Sequence, residues 1–206
     1  INAYYDPTTN EICFPAGILQ APFFDPAADD ATNYGAIGVV IGHEMTHGFD
    51  DQGSQFDKEG NLRNWWTPQD KANFKARTER MVRFFDAIEV LPGLHCNGAL
   101  TCGENIADHG GLKVAYQAFR NATARNPLPK FEGFTPDQRF FISYAQVWAN
   151  NIRPEALRNQ VKTDPHAPGR WRVNGALPQI EAWYKAFGIK KGDKLFVPKN
   201  KRVDIW

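Results

Sequence analysis

The sequence predicts a mainly helical α+β domain with one small antiparallel β element, and three of its features carry that prediction. Apolar residues recur at three- and four-residue intervals from Tyr34 through Ile37, Val40, Ile41 and Met45 to Phe49, the spacing of one helix face. Thr67-Pro68 and Thr135-Pro136 each set a capping hydroxyl before a proline at the first helical position. Near the amino end, Tyr4-Tyr5 and Ile12-Cys13-Phe14 flank the turn-rich Asp6-Pro7-Thr8-Thr9-Asn10, which is a hairpin pattern.

In chain order, the hairpin leads through an extended segment to Asp29-Asp30, where a buried helix of about five turns begins. A Gly/Asn/Asp-rich loop from Asp50 to Asn64 precedes the second helix, Thr67 to about Glu89. Asn97-Gly98 predicts a short hairpin. The third helix then runs from about Glu104 to Ala124, and the fourth, rich in Phe, Tyr and Trp, starts at Thr135. Pro154 ends it or opens a fifth. Asp164 to Gly175 reads as loop, Leu177 to Phe187 as the last helix, and Lys190 to Arg202 as a basic surface tail ending in Ile205-Trp206. No repeat or linker divides the chain, so residues 1–206 read as one unit.

Composition narrows the functional classes. With 42% hydrophobic and 13% aromatic residues the chain can bury a substantial core. Twenty-four Lys and Arg against 23 Asp and Glu leave a net charge of +1, too little to hold nucleic acid or an anionic membrane by global charge. The longest apolar stretch, Ala36 to Ile41, falls far short of the roughly 20 residues that span a bilayer. Ile1 opens the chain without a signal-like segment, so any targeting segment is expected upstream or already removed. Cys13, Cys96 and Cys102 cannot all pair, and a turn at Asn97-Gly98 holds the last two out of register. They are expected as three reduced, mostly buried thiols.

The chemistry is concentrated at His43-Glu44-Met45-Thr46-His47. Histidines four apart project from successive turns of one helix face, so two imidazoles can meet one zinc ion with Glu44 beside them. Three ionisable groups on an otherwise apolar helix are costly to bury unless they bind something. Catalytic zinc commonly takes three protein ligands, and Glu104, opening the third helix in Gly103-Glu104-Asn105-Ile106-Ala107-Asp108, is the best third. Asp108, one turn on, and Asp50, one turn past His47, can each fix a ligand histidine through its other ring nitrogen. The plainer alternative is an acidic first turn favoured by the helix dipole.

These residues resemble the neprilysin family of zinc endopeptidases, and the resemblance covers nearly the whole chain. It rests on Asn2-Ala3-Tyr4-Tyr5, on Phe14 to Gln20, on the run His43 to Asp51, on Gly103 to Gly111, and on Asp164 to Gly175, all in family order. It implies a zincin, thermolysin-like catalytic domain, forming the C-terminal portion of a longer protein whose upstream region caps the cleft. It further implies one Zn2+ held by His43, His47 and Glu104, with Glu44 as general base and carboxylates of Asp50 and Asp108 behind the ligands. His166 would steady the oxyanion and Arg172 would hold a substrate carbonyl. Asn2 and Ala3 would pair with the substrate main chain, and Phe23, Val39, Val40 and Trp148 would line the pocket for the side chain after the scissile bond. Cleavage on the amino side of bulky apolar residues follows as an expectation.

Cys13 and Cys102 stand where the family has aliphatic residues, and the end Asp204-Ile205-Trp206 lacks the near-terminal Cys of animal members, which points to a bacterial-type member. The resemblance also implies a secreted, periplasmic or membrane-anchored protein, any anchor lying upstream. The edge strand and the aromatic fourth helix are expected to face that upstream region. His95 and His109 match nothing assignable and read as surface residues. Two other readings stay open: a zinc exopeptidase, which needs a charged pocket for a free terminus, and a non-catalytic peptide-binding fragment.

Overall fold

The computed structural model describes residues 1–206. The first hairpin pairs β1 (Tyr4–Asp6) with β2 (Glu11–Cys13), Tyr5 opposite Ile12. No strand pairs with the other edge of β1. The predicted five-turn helix spans α1 (Asp30–Asn33), a wider π segment (Tyr34–Gly38) and α2 (Val39–His47) without a break. Asp29 caps it by accepting from Thr32 N at 2.9 Å. The helix is buried on one side only, since Ile41 and Met45 are exposed along its outer face, as is Phe49 just past its end.

The two Thr-Pro signals open helices as expected. Thr67 caps α3 (Pro68–Asp86) and Thr135 caps α5 (Pro136–Val147), the latter with Gln138 closing a capping box. Between them lie β3 (Glu89–Leu91), β4 (Leu94–His95) and the long α4 (Cys102–Ala122). α6 (Pro154–Thr163), α7 (Gly169–Ala176) and α8 (Glu181–Phe187) complete the chain. The aromatic residues of α5 join α4 and α8 in the main core, where Phe140, Phe141, Tyr144 and Phe119 are almost fully buried. A second core under α3 gathers Met81, Phe85, Cys96, Cys102 and Ile106.

Five expectations need correction. The second hairpin turns at Pro92-Gly93, where Gly93 takes a left-handed φ of 72°. Asn97 leads into α4 instead, its carbonyl accepting from Thr101 N and its side chain from Leu100 N. The Asp164–Gly175 loop contains α7, since Pro168 precedes a helix that its Pro/Gly content disguised. The terminal tail is not all surface: Val203 and Ile205 are buried in the second core, held by Arg77 and Arg80 donating to backbone carbonyls. α5 turns Phe140, Phe141 and Tyr144 inward to the core, while Ile41, Met45, Ile12 and Trp65 are among the large apolar side chains left exposed. His109 is buried at 1% exposure, whereas His95 is exposed as expected. All three cysteines are free, Cys96 and Cys102 buried and Cys13 half-buried.

Candidate active site

Two helices make the site by approaching at backbone distance. α2 packs along α4, and at their crossing a Cβ on Gly42 would stand 2.9 Å from Gly111 Cα, and one on Gly111 would stand 2.7 Å from the Val39 carbonyl. Only glycine fits such an approach. It brings Glu104 and Asp108 of α4 up to the histidines of α2.

His43 Nδ1 lies 2.9 Å from Asp108 Oδ1, and His47 Nδ1 2.7 Å from Asp50 Oδ2. A carboxylate only accepts, so each Nδ1–H donates, and in the neutral tautomer each Nε2 is left as a lone pair. Those two Nε2 atoms stand 3.0 Å apart. Glu104 adds Oε2 at 3.2 Å from His43 Nε2 and Oε1 at 3.8 Å from His47 Nε2, and its buried Oε2 has no well-formed hydrogen bond. With both rings neutral, three acceptors converge with no donor among them, an arrangement that a cation resolves: a metal ion, or without one the proton that His43 takes up. Two imidazoles and a carboxylate suit zinc. Glu44, buried beside them, offers an oxygen within 4.8 Å of both imidazoles, but it shares their helix, whereas Glu104 faces them from α4.

The electrostatics agree. Burial works against the His43 imidazolium, yet hydrogen bonds to Asp108 and Glu104 prevail and push it up to about 9. Burial also works against the Glu104 carboxylate, but His166 and His43 hold its pKa well below the ordinary range. Without a metal, a proton on His43 is what sits between its ring and Glu104. Glu44 differs: desolvation raises its carboxyl.

Beside this centre, Arg172 of α7 grips Asp108 through Nε at 2.8 Å and Nη2 at 2.6 Å. His166 lies between Glu104 Oε2 at 3.2 Å and Asp164 Oδ1 at 2.8 Å, and the close Glu104 carboxylate is the main cause that raises its pKa. Every sequence-predicted site residue lines one cleft of about 420 Å³, from Asn2 and Ala3 past Phe23, Val39, Val40 and Trp148 to the histidines, Asp50, Glu104, Asp108, His166 and Arg172. Sequence reasoning missed Tyr144, whose hydroxyl donates to the Arg172 carbonyl at 3.0 Å. It also missed Asp164 as the partner of His166, although a carboxylate two residues before a singled-out histidine was a readable sign.

Peptidase family M13 matches the chain over residues 2–203. The chain belongs to this family. Among curated M13 relatives, endothelin-converting enzyme 1 of Rattus norvegicus is 47% identical over all of this chain and 27% of its own length. Human neprilysin is 43% identical, with 28% of its length covered. Among solved structures, the zinc metalloprotease Zmp1 of Mycobacterium tuberculosis in complex with an inhibitor superposes with a TM-score of 0.97 at 46% identity, over all of this chain and 32% of that one. PepO from Lactobacillus rhamnosis gives 0.88 at 40%, with 31% covered. These bacterial neighbours agree with the bacterial-type reading. The chain thus spans about a quarter to a third of the length of these M13 relatives.

Proposed function

We propose that this M13 chain carries the catalytic centre of a zinc endopeptidase. The observation that supports this most is the convergence of two imidazole lone pairs and the Glu104 carboxylate at one wall of a cleft, with the raised carboxyl of Glu44 beside them. His43, His47 and Glu104 would hold one zinc ion per chain, with Asp108 and Asp50 fixing the two rings. When bound, zinc supplies Lewis acidity, lowering the pKa of a water and polarising a carbonyl.

Glu44 takes the proton of the attacking water and passes it to the leaving amine; its raised pKa brings it nearer the pH at which both transfers must occur. His166, about half exposed, can turn from Glu104 to donate to the oxyanion. Arg172 holds a substrate carbonyl. The unpaired edge of β1, continued by Asn2 and Ala3, takes the peptide as an added strand. Phe23, Val39, Val40 and Trp148 give the pocket for the residue after the scissile bond an apolar wall, which favours cleavage on the amino side of bulky hydrophobic residues.

The region of the longer protein outside this chain would supply the remaining walls of the cleft and cover the outer face of α2. Secretion or membrane anchoring would likewise rest on that region, since no helix here is long and apolar enough to cross a membrane. Metal analysis combined with peptide cleavage, with and without chelator, tests the reading. Zinc at one per chain with chelator-sensitive hydrolysis is expected; a metal-free chain that cleaves peptides contradicts it.

A further inference from the structure

We propose that Trp148 is the positioning residue for Arg172, fixing the tilt of its guanidinium so that one edge stays available to substrate. The inference rests on the peptidase reading above and gives the indole a task besides walling the pocket. Arg172 Cζ lies 3.7 Å from the centroid of the Trp148 ring. On its other side the guanidinium meets Asp108 through Nε and Nη2, and neither contact uses Nη1. A two-point bond to one carboxylate fixes a guanidinium within its own plane but leaves it free to tilt about the line joining the two groups. A flat aromatic face beneath it removes that freedom.

Two further observations favour the platform. The indole N–H of Trp148 is turned towards the Tyr144 hydroxyl without a well-aligned hydrogen bond, which leaves the ring face to Arg172. The two residues are also held from both backbones. Trp148 closes α5, the Tyr144 hydroxyl one turn earlier donates to the Arg172 carbonyl at 3.0 Å, and a Cβ on Gly169, which opens α7, would stand 2.5 Å from the Trp148 carbonyl. Both side chains line the cleft. One ring therefore touches the substrate side chain in the pocket and steadies the cation that meets the substrate backbone.

The consequence is a loss of binding that remains when no bulky side chain occupies the pocket. The test uses the zinc-loaded chain, its Trp148→Phe and Trp148→Leu variants, each also in an Arg172→Ala background, and peptides with Phe, Leu or Ala after the scissile bond. KM is expected to rise from wild type to Trp148→Phe to Trp148→Leu, reaching about tenfold, the worth of a desolvated cation–π contact. The rise should persist on the Ala peptide, which makes no contact with the pocket wall, and be at least as large on the Phe and Leu peptides, with kcat nearly constant. In the Arg172→Ala background, Trp148→Leu should add no further loss on the Ala peptide. A loss confined to the Phe and Leu peptides, or one undiminished without Arg172, overturns the proposal. The graded Phe variant keeps the test open if the Leu variant fails to fold. A second readout needs no turnover: the side-chain Nε–H resonance of Arg172 should be displaced by the indole ring current, retain part of that displacement in Trp148→Phe and lose it in Trp148→Leu. A wild-type chain that neither binds zinc nor cleaves any of the peptides sinks the peptidase reading itself, whereas an Arg172 resonance indifferent to Trp148→Leu sinks the platform alone.

Discussion

Gly42 and Gly111 meet where α2 crosses α4, so closely that a methyl group on Gly42 would stand 2.9 Å from Gly111 Cα. The contact lies one residue from His43 and sets how far Glu104 and Asp108 stand from it. Gly42→Ala or Gly111→Ala should therefore push the helices apart, costing about 1–3 kcal/mol and weakening metal binding as well. Thermal melts with and without zinc check this, and the difference between the two melts should shrink in both variants. Unchanged zinc stabilisation would mean that the close approach does not set the site.

His109 gives the chain an acid sensitivity away from the metal centre. Burial, with Lys113 adding to it and Asp204 opposing, lowers its pKa from 6.5 to about 4, and neither ring nitrogen has a hydrogen-bond partner. Between those values the unfolded chain binds the proton and the folded chain does not, so stability is lost as pH falls from 6.5 towards 4, by up to about 3 kcal/mol. His109→Asn should flatten that part of the stability profile measured by denaturant unfolding. An equally steep profile in the variant would assign the sensitivity to other groups.

What the sequence revealed and what it concealed divide along physical lines. The HExxH spacing, the Asp29, Thr67 and Thr135 caps and the first hairpin are local signals, set by residues a few positions apart, and all of them stand in the structure. The burial of His109, the inward turn of α5 and the docking of Val203 and Ile205 depend on contacts between distant segments, which no periodicity records. At Asn97-Gly98 and Gly169 a turn former served another purpose, leading into a helix in one case and opening it in the other. The candidate site was readable because metal chemistry restricts residue types, whereas Tyr144 touches only a backbone carbonyl and left no such mark.

Specificity should follow from the apolar pocket wall. Replacing Phe by Asp just after the scissile bond buries an unpaired charge against Val39, Val40 and Trp148, at about 3 kcal/mol or more. Cleavage mapping of a peptide pair differing only there should show a loss of kcat/KM of about a hundredfold. Equal cleavage of the two peptides would place the pocket elsewhere.

His166→Ala and Arg172→Ala should separate kinetically. Loss of an oxyanion donor acts in the transition state and should lower kcat about a hundredfold. Loss of the carbonyl contact should mainly raise KM. The structure adds a second effect for Arg172, because its removal strips the buried Asp108 of a two-point partner, worth about 3–5 kcal/mol of stability. Steady-state kinetics paired with melting curves distinguish the two variants; matching changes in kcat, KM and stability would refute their separate roles.

The central claim is that Glu44 moves the proton while His43, His47 and Glu104 hold the metal. Zinc content and peptide turnover of Glu44→Gln, measured beside the wild-type chain and His43→Ala, test it most directly. An amide can neither take nor deliver the proton, so Glu44→Gln should keep one zinc per chain and lose hydrolysis, while His43→Ala should lose the metal. A Glu44→Gln chain that retains most of its turnover, or a His43→Ala chain that retains its zinc, would contradict the account.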